Sequence, residues 1–131
     1  MRDLILDSGV LNLQFTKDPR LTPYLDSIDG GTARGFTTLI NLTEFYYWTC
    51  RTLGREVADL RLQTLLTSGI EVVGDTDLAR RAGYEKCRRT HDLSTADCYI
   101  LSLARRERGL LLTTDGELAK IRDVEVKHFP V

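Results

Sequence analysis

Short apolar runs alternate with segments of helical periodicity along this chain, and nothing else in it constrains the fold as strongly. Leu4-Ile5-Leu6 is the first run, and Ser8 to Leu13 then starts a helix. Pro19 and Pro23 punctuate the next stretch, and Gly30-Gly31 ends it. Phe36 to Ile40 reads as a second strand, β-branched and apolar. From Asn41 onward, Leu42, Phe45, Tyr46, Thr49 and Leu53 recur at helical spacing until Gly54, and a further helix spans Arg55 to Leu66. Gly69 to Gly74 is a strand bounded by glycines, and Asp75 to Arg89 a helix opened by Asp75 or Thr76. Ser94 caps another helix, to about Arg108, and Leu110 to Thr114 is a buried strand ending in Asp115. Gly116 to Ile121 makes a short helical turn and Val124 to Phe129 a last strand. Strands separated by helices pair in parallel and are covered on both faces. The pattern predicts a three-layer α/β/α fold with a parallel, roughly five-stranded sheet.

Four carboxylates then stand out by position. Asp7, Glu44, Asp97 and Asp115 each fall where an apolar run gives way to a helix, or in the opening turns of a helix packed on such runs. In an open α/β sheet those places converge at the carboxyl ends of the strands, where ligands bind. Acids gathered there raise one another's pKa unless a cation neutralises them. An all-oxygen ligand set suits Mg²⁺ or Mn²⁺.

Each acid also has a purely structural explanation. Asp7 fits a helix N-cap, and Asp115 before Gly116 a turn. Ser94-Thr95-Ala96-Asp97 spells a capping box, and Asn41-Leu42-Thr43-Glu44 imitates one with Asn as the cap. Two details favour a site. Asp97 shares a helical face with Ile100, Leu101 and Ala104, the stripe that must meet the sheet. Thr113 and Asp115 are two apart, so an extended strand points both the same way. Asp3, Asp75, Asp77, Asp92, Glu117 and Asp123 read as caps and solvated surface, Glu117 alone being near enough to Asp115 to assist. Phe45-Tyr46-Tyr47-Trp48 reads as core and subunit interface rather than a stacking platform.

The remaining numbers exclude classes. At 131 residues the chain is expected to form one domain spanning 1–131, and its net charge of −1 advertises no basic field. The N-terminal apolar run is too short for a signal peptide, and no stretch approaches a membrane span. A cytoplasmic protein without membrane contact is expected. Cys50, Cys87 and Cys98 form no CxxC pair, and His91 and His128 lie far from one another and from any cysteine, so zinc is not expected. No Ser-His or Cys-His nucleophile pairing is visible.

In this order and placement the acids resemble the PIN domain, a family of small metal-dependent ribonucleases. Leu4-Ile5-Leu6-Asp7-Ser8 looks like its opening strand, and Leu42-Thr43-Glu44-Phe45 like its second acidic motif. Leu93 to Ile100 resembles the third motif, where Asp heads a helix of small and apolar residues, and Leu111-Leu112-Thr113-Thr114-Asp115 the strand ending in T-x-D. The likeness runs from Asp3 to Val131 and, for a chain this compact, is greatest to the VapC toxins of toxin–antitoxin pairs. Cys98 departs from the Ala frequent at its position, and Lys17 to Gly35 follows no pattern of the family.

The resemblance implies a homodimer, hydrolysis of RNA phosphodiester bonds, and a cognate antitoxin as protein partner. It implies Asp7, Glu44, Asp97 and Asp115 as ligands of Mg²⁺ or Mn²⁺, with Ser8 and Thr113 as supporting hydroxyls. The basic cluster Arg80, Arg81, Lys86, Arg88 and Arg89 is the candidate RNA contact, whereas Arg105, Arg106 and Arg108 read as surface and helix-end charge. Three rivals stay open: an RNA-processing nuclease without an antitoxin, a non-catalytic binding module of the same fold, and a receiver-like signalling domain. The last needs an acidic pair after strand one and a lysine after a late strand, and Leu110 to Asp115 has no lysine.

Overall fold

The structure, a computed structural model, describes residues 2–89 and 92–131; His91, which the zinc argument used, lies outside them. Five strands, β1 (Arg2–Leu6), β2 (Ala33–Thr38), β3 (Ile70–Val73), β4 (Leu110–Thr113) and β5 (Val126–His128), pair in parallel in the order β3-β2-β1-β4-β5. The helices are α1 (Ser8–Leu13), α2 (Thr22–Asp29), α3 (Leu39–Leu53), α4 (Arg55–Leu66), α5 (Thr76–Arg88) and α6 (Thr95–Glu107). The fold is the expected three-layer α/β class.

The apolar runs sort by their two-residue period. Leu4, Leu6, Leu110 and Leu112 face a core shared with Val10, Leu11, Phe45 and Leu65 from α1, α3 and α4. Ile5 and Leu111 face the opposite core, with Leu78, Ala82, Ile100, Leu101 and Ala104 from α5 and α6. Both faces of the central strands are therefore dry, which explains why β1 and β4 read as continuous apolar runs rather than alternating ones.

Three boundaries differ from the sequence reading. Leu39 and Ile40 belong to α3, not to the second strand, because the Thr38 hydroxyl accepts the Asn41 N–H at 3.1 Å and caps the helix there. Thr38, not Asn41, is thus the cap, and Leu39 is left 52% exposed on the helix surface. The strand also begins earlier, at Ala33, and the unplaced stretch before it holds α2, opened by Pro23 and packing Tyr24, Leu25 and Ile28 on the first core. Finally, β5 is confined to Val126–His128, with Val124 and Phe129 buried on either side.

Two glycines set the geometry around the carboxyl edge. A side chain at Gly9 would collide with Thr114, so its absence lets the first turn of α1 close onto the end of β4. Gly54, at φ 91°, takes a conformation that turns α3 back into α4. At the centre of the sheet the chain leaves β1 toward β2 on one side while β4 lies on the other. That reversal opens a crevice at the carboxyl ends of β1 and β4.

Candidate active site

Asp7 sits in this crevice as the N-cap of α1. Its backbone N–H extends the β1–β4 ladder to the Leu112 carbonyl at 3.2 Å, which carries the acid to the sheet edge. One carboxylate oxygen accepts the Val10 N–H at 2.9 Å and the other accepts the Thr113 hydroxyl. Thr113 Oγ1 in turn accepts the Asp115 N–H at 2.9 Å, so one threonine ties the two acids together. Only 5% of Asp7 is exposed. Burial pushes its pKa up to about 6; the Thr113 and Val10 hydrogen bonds hold the shift back, and the charge of Asp97 adds to it.

Asp97 arrives from α6. The capping box is present in full: the Ser94 hydroxyl accepts the Asp97 N–H at 3.1 Å, and Asp97 Oδ2 accepts the Ser94 N–H at 3.1 Å. The half-buried carboxyl is raised by burial and then by the negative charges of Asp115 and Glu44. Glu44 is half-buried in α3, a helix packed against α6. Asp115 Oδ1 accepts the Glu117 N–H at 2.8 Å, so Glu117 contributes its backbone there.

Asp97 thus lies within the field of each of the other three acids, and the two capping roles expected for Asp7 and Asp97 are both present. Capping and site chemistry are not exclusive, because each cap occupies an oxygen rather than the whole group. Asp97 Oδ1, Asp115 Oδ2 and both oxygens of Glu44 have no donor among the described residues. None of the four acids pairs with an arginine or lysine among the described residues. Nor do three such side chains converge among the described residues into a finished coordination shell. The donor set, all oxygen and uncompensated, is of the kind that a hard divalent cation takes.

One supporting residue was missed. Asn41, 2% exposed, donates from Nδ2 to Ser8 Oγ at 3.1 Å and accepts the Thr38 hydroxyl at 2.5 Å. It pins the start of α3, which bears Glu44, to the residue that follows Asp7. An Asn among Leu42, Phe45 and Thr49 on a buried helix face is the available signal, although in sequence it also fits a cap.

The basic candidates divide. In the α5–α6 hairpin Arg106 reaches Asp75 while Lys86 Nζ donates to the Leu93 carbonyl at 2.5 Å, so the helices run antiparallel and the end of α5 lies beside the start of α6. Arg80 and Arg81 both hold Asp77, toward the far end. Arg88, Arg89 and Arg105 surround Glu85, a carboxylate only 2% exposed. Burial works to raise Glu85, but hydrogen bonds from Arg88 and Arg105 outweigh it and hold its pKa below the ordinary value.

Comparison with known proteins bears on the family and the fold. The family model for the PIN domain matches residues 4–124, and the chain belongs to that family. Among solved structures it is similar to DNA-bound VapBC from Salmonella typhimurium, at 19% identity, 98% coverage of each chain and a TM-score of 0.77. It also resembles VapBC2 from Rickettsia felis bound to a promoter DNA fragment (16% identity, 98% of each chain, TM-score 0.75). A third is VapC20 of Mycobacterium tuberculosis, a sarcin-ricin loop cleaving toxin (16% identity, 92% of this chain and 98% of that one, TM-score 0.68). No curated protein sequence matches the chain. At these identities the structural likeness speaks for the fold.

Proposed function

We propose that this protein is a divalent-metal-dependent endoribonuclease and the toxin of a toxin–antitoxin pair. The observation that carries the reading is the set of four carboxylates at the sheet crevice with no cationic partner, in a chain of the PIN family. Asp7, Glu44, Asp97 and Asp115 would hold Mg²⁺ or Mn²⁺, the free oxygens of Asp97, Asp115 and Glu44 being the readiest ligands. The ion would supply an activated water and offset charge on the phosphate. Thr113 keeps Asp7 and Asp115 in register. Ser8 receives its hydrogen bond from Asn41, which leaves its own O–H free to serve a phosphate or water oxygen.

The VapBC relatives support an antitoxin as partner. Apolar side chains exposed along α3 and α4, including Tyr47, Trp48, Leu60 and Leu66, supply surface for that protein or for a second copy of this chain. No helix is long and apolar enough to cross a membrane among the described residues.

The test is cleavage of RNA by the purified protein. Activity that EDTA abolishes and Mn²⁺ restores, and that co-expression with the product of an adjacent small gene silences, is expected. Cleavage that survives EDTA sinks the metal role. Cleavage that no neighbouring gene product silences returns the protein to RNA processing, and RNA binding without cleavage returns it to a binding module.

A further inference from the structure

A groove of about 380 Å³ between α5 and α6 lies apart from the acids, and its lining sets four arginines, Arg80, Arg81, Arg88 and Arg105, against Glu85 and Asp123. The arginines are not equivalent. Arg105 is fully committed, donating from Nε and both terminal nitrogens to Asp123 and Glu85, and forms a wall. Among the described residues Arg80 and Arg88 each donate through Nη2 alone, to Asp77 and Glu85, and their side chains are 70% and 46% exposed. The remaining N–H groups of both guanidiniums are open to a ligand.

Tyr84 stands between them. Residues 80, 84 and 88 follow the four-residue step of one helix face, so the three side chains form a stripe about 12 Å long. The ring is 65% exposed, and the Arg88 guanidinium lies 5.7 Å from its centroid. Opposite, on α6, Ser102 lines the groove and is 4% exposed. A solvated salt-bridge face has no need of an aromatic ring held up between half-free guanidiniums. An unpaired base and its flanking phosphates do, since bases stack on exposed aromatic faces and guanidiniums take phosphate oxygens.

We propose that this groove is a second RNA site: one unpaired base stacks on Tyr84, and neighbouring phosphates meet Arg80 and Arg88. The inference rests on the ribonuclease reading and gives it a grip on single-stranded substrate away from the cut. The stripe points the right way, because the Arg88 end of α5 lies beside the start of α6, where Asp97 sits.

The experiment measures fluorescence anisotropy of a labelled single-stranded oligoribonucleotide with the whole wild-type protein in EDTA, so that binding is read without cleavage. Tyr84→Ala and Arg80→Gln are the variants, since both positions are exposed and neither holds the buried Glu85; melting curves check their folding. Tyr84→Ala is expected to weaken RNA binding about tenfold while leaving competition by inorganic polyphosphate unchanged. Arg80→Gln is expected to weaken both and to lower the salt slope by about 0.7. Wild-type affinity in the two variants, or equal losses against RNA and polyphosphate in Tyr84→Ala, overturns the base-stacking site. An absence of cleavage by wild-type protein in Mn²⁺, with Tyr84-dependent binding intact, sinks the nuclease reading and leaves this site standing.

Discussion

Carboxylates occur in two settings in this molecule, and the same side chain behaves oppositely in each. Away from Asp97, the acids on and beside the α5–α6 hairpin have their cations. Asp77 is held down to about 2 by Arg81 and Arg80, Asp75 lies well below the carboxylate range because of Arg106, and Asp123 is lowered by Arg105. At the crevice Asp7 and Asp97 are raised, and no arginine or lysine pairs with either among the described residues. Charge that the hairpin neutralises from within is left uncompensated at the sheet edge. A site that must accept a cation from solution, and later tolerate a phosphate, needs that deficit; a structural hairpin needs the reverse.

The largest effect expected from this contrast is on catalysis. Asp7→Asn and Asp97→Asn should each lower RNA cleavage about a thousandfold or more, with the melting temperature unchanged or raised. Asn caps a helix as well as Asp, so the bond from Val10 to residue 7 survives the change. Loss of activity in step with loss of fold would mean that these acids serve only as caps.

On the hairpin the corresponding change should unfold rather than inactivate. Glu85→Ala removes the common partner of Arg88, Arg89 and Arg105 and is expected to cost ~2–4 kcal/mol in denaturant unfolding. A stability near wild type would show that these arginines find other partners and that the network is ordinary surface.

The two settings also predict opposite responses to pH. Between its ordinary 3.8 and about 6, folded Asp7 keeps a proton that the unfolded chain has lost, so stability falls as pH rises through that window. The whole effect is ~2–3 kcal/mol. The paired acids act the other way, their contribution present above about 4 and lost as pH falls toward about 2. Metal-free protein should therefore be most stable near pH 4–5, by thermal melts across the range. Mn²⁺ should restore stability at neutral pH in wild type and much less in Asp7→Asn. A flat profile in wild type, or equal metal stabilisation in Asp7→Asn, would remove Asp7 from the site.

Much of this was legible in the sequence because it depends on local pattern. The positions of Asp7 and Asp115 follow from apolar runs that stop abruptly, and Ser94 and Asp97 announce their own helix start. What was illegible depends on tertiary contact. Arg34 and Gly35 are poor strand residues, so β2 was entered late; only pairing with β1 makes them extended. Leu39 and Ile40 look like strand, yet the Thr38 cap starts a helix beneath them. The commitment of Arg105 to Glu85 joins two separate helices and leaves no periodic trace. Asn41 was visible as a residue, but its bond to Ser8 exists only once α3 folds onto α1.

That bond supplies the smallest expected effect. Asn41→Ala deprives Ser8 Oγ of its donor and the Thr38 hydroxyl of its acceptor, at an expected ~1–2 kcal/mol of stability. Because Asn41 is buried and bonds to Thr38 and Ser8 rather than to the acids, its influence on cleavage is expected to pass through the placement of Ser8 and of Glu44 on α3. Such a loss appears in kcat with KM nearly unchanged, and about tenfold is expected, the size usual for a residue that orients site groups through another. Activity should be measured well below the melting point, so that unfolded protein contributes nothing. If kcat then matches wild type while stability falls, Asn41 merely joins two helices. If KM rises and kcat holds, the residue acts on RNA binding, and the positioning role assigned to it is wrong.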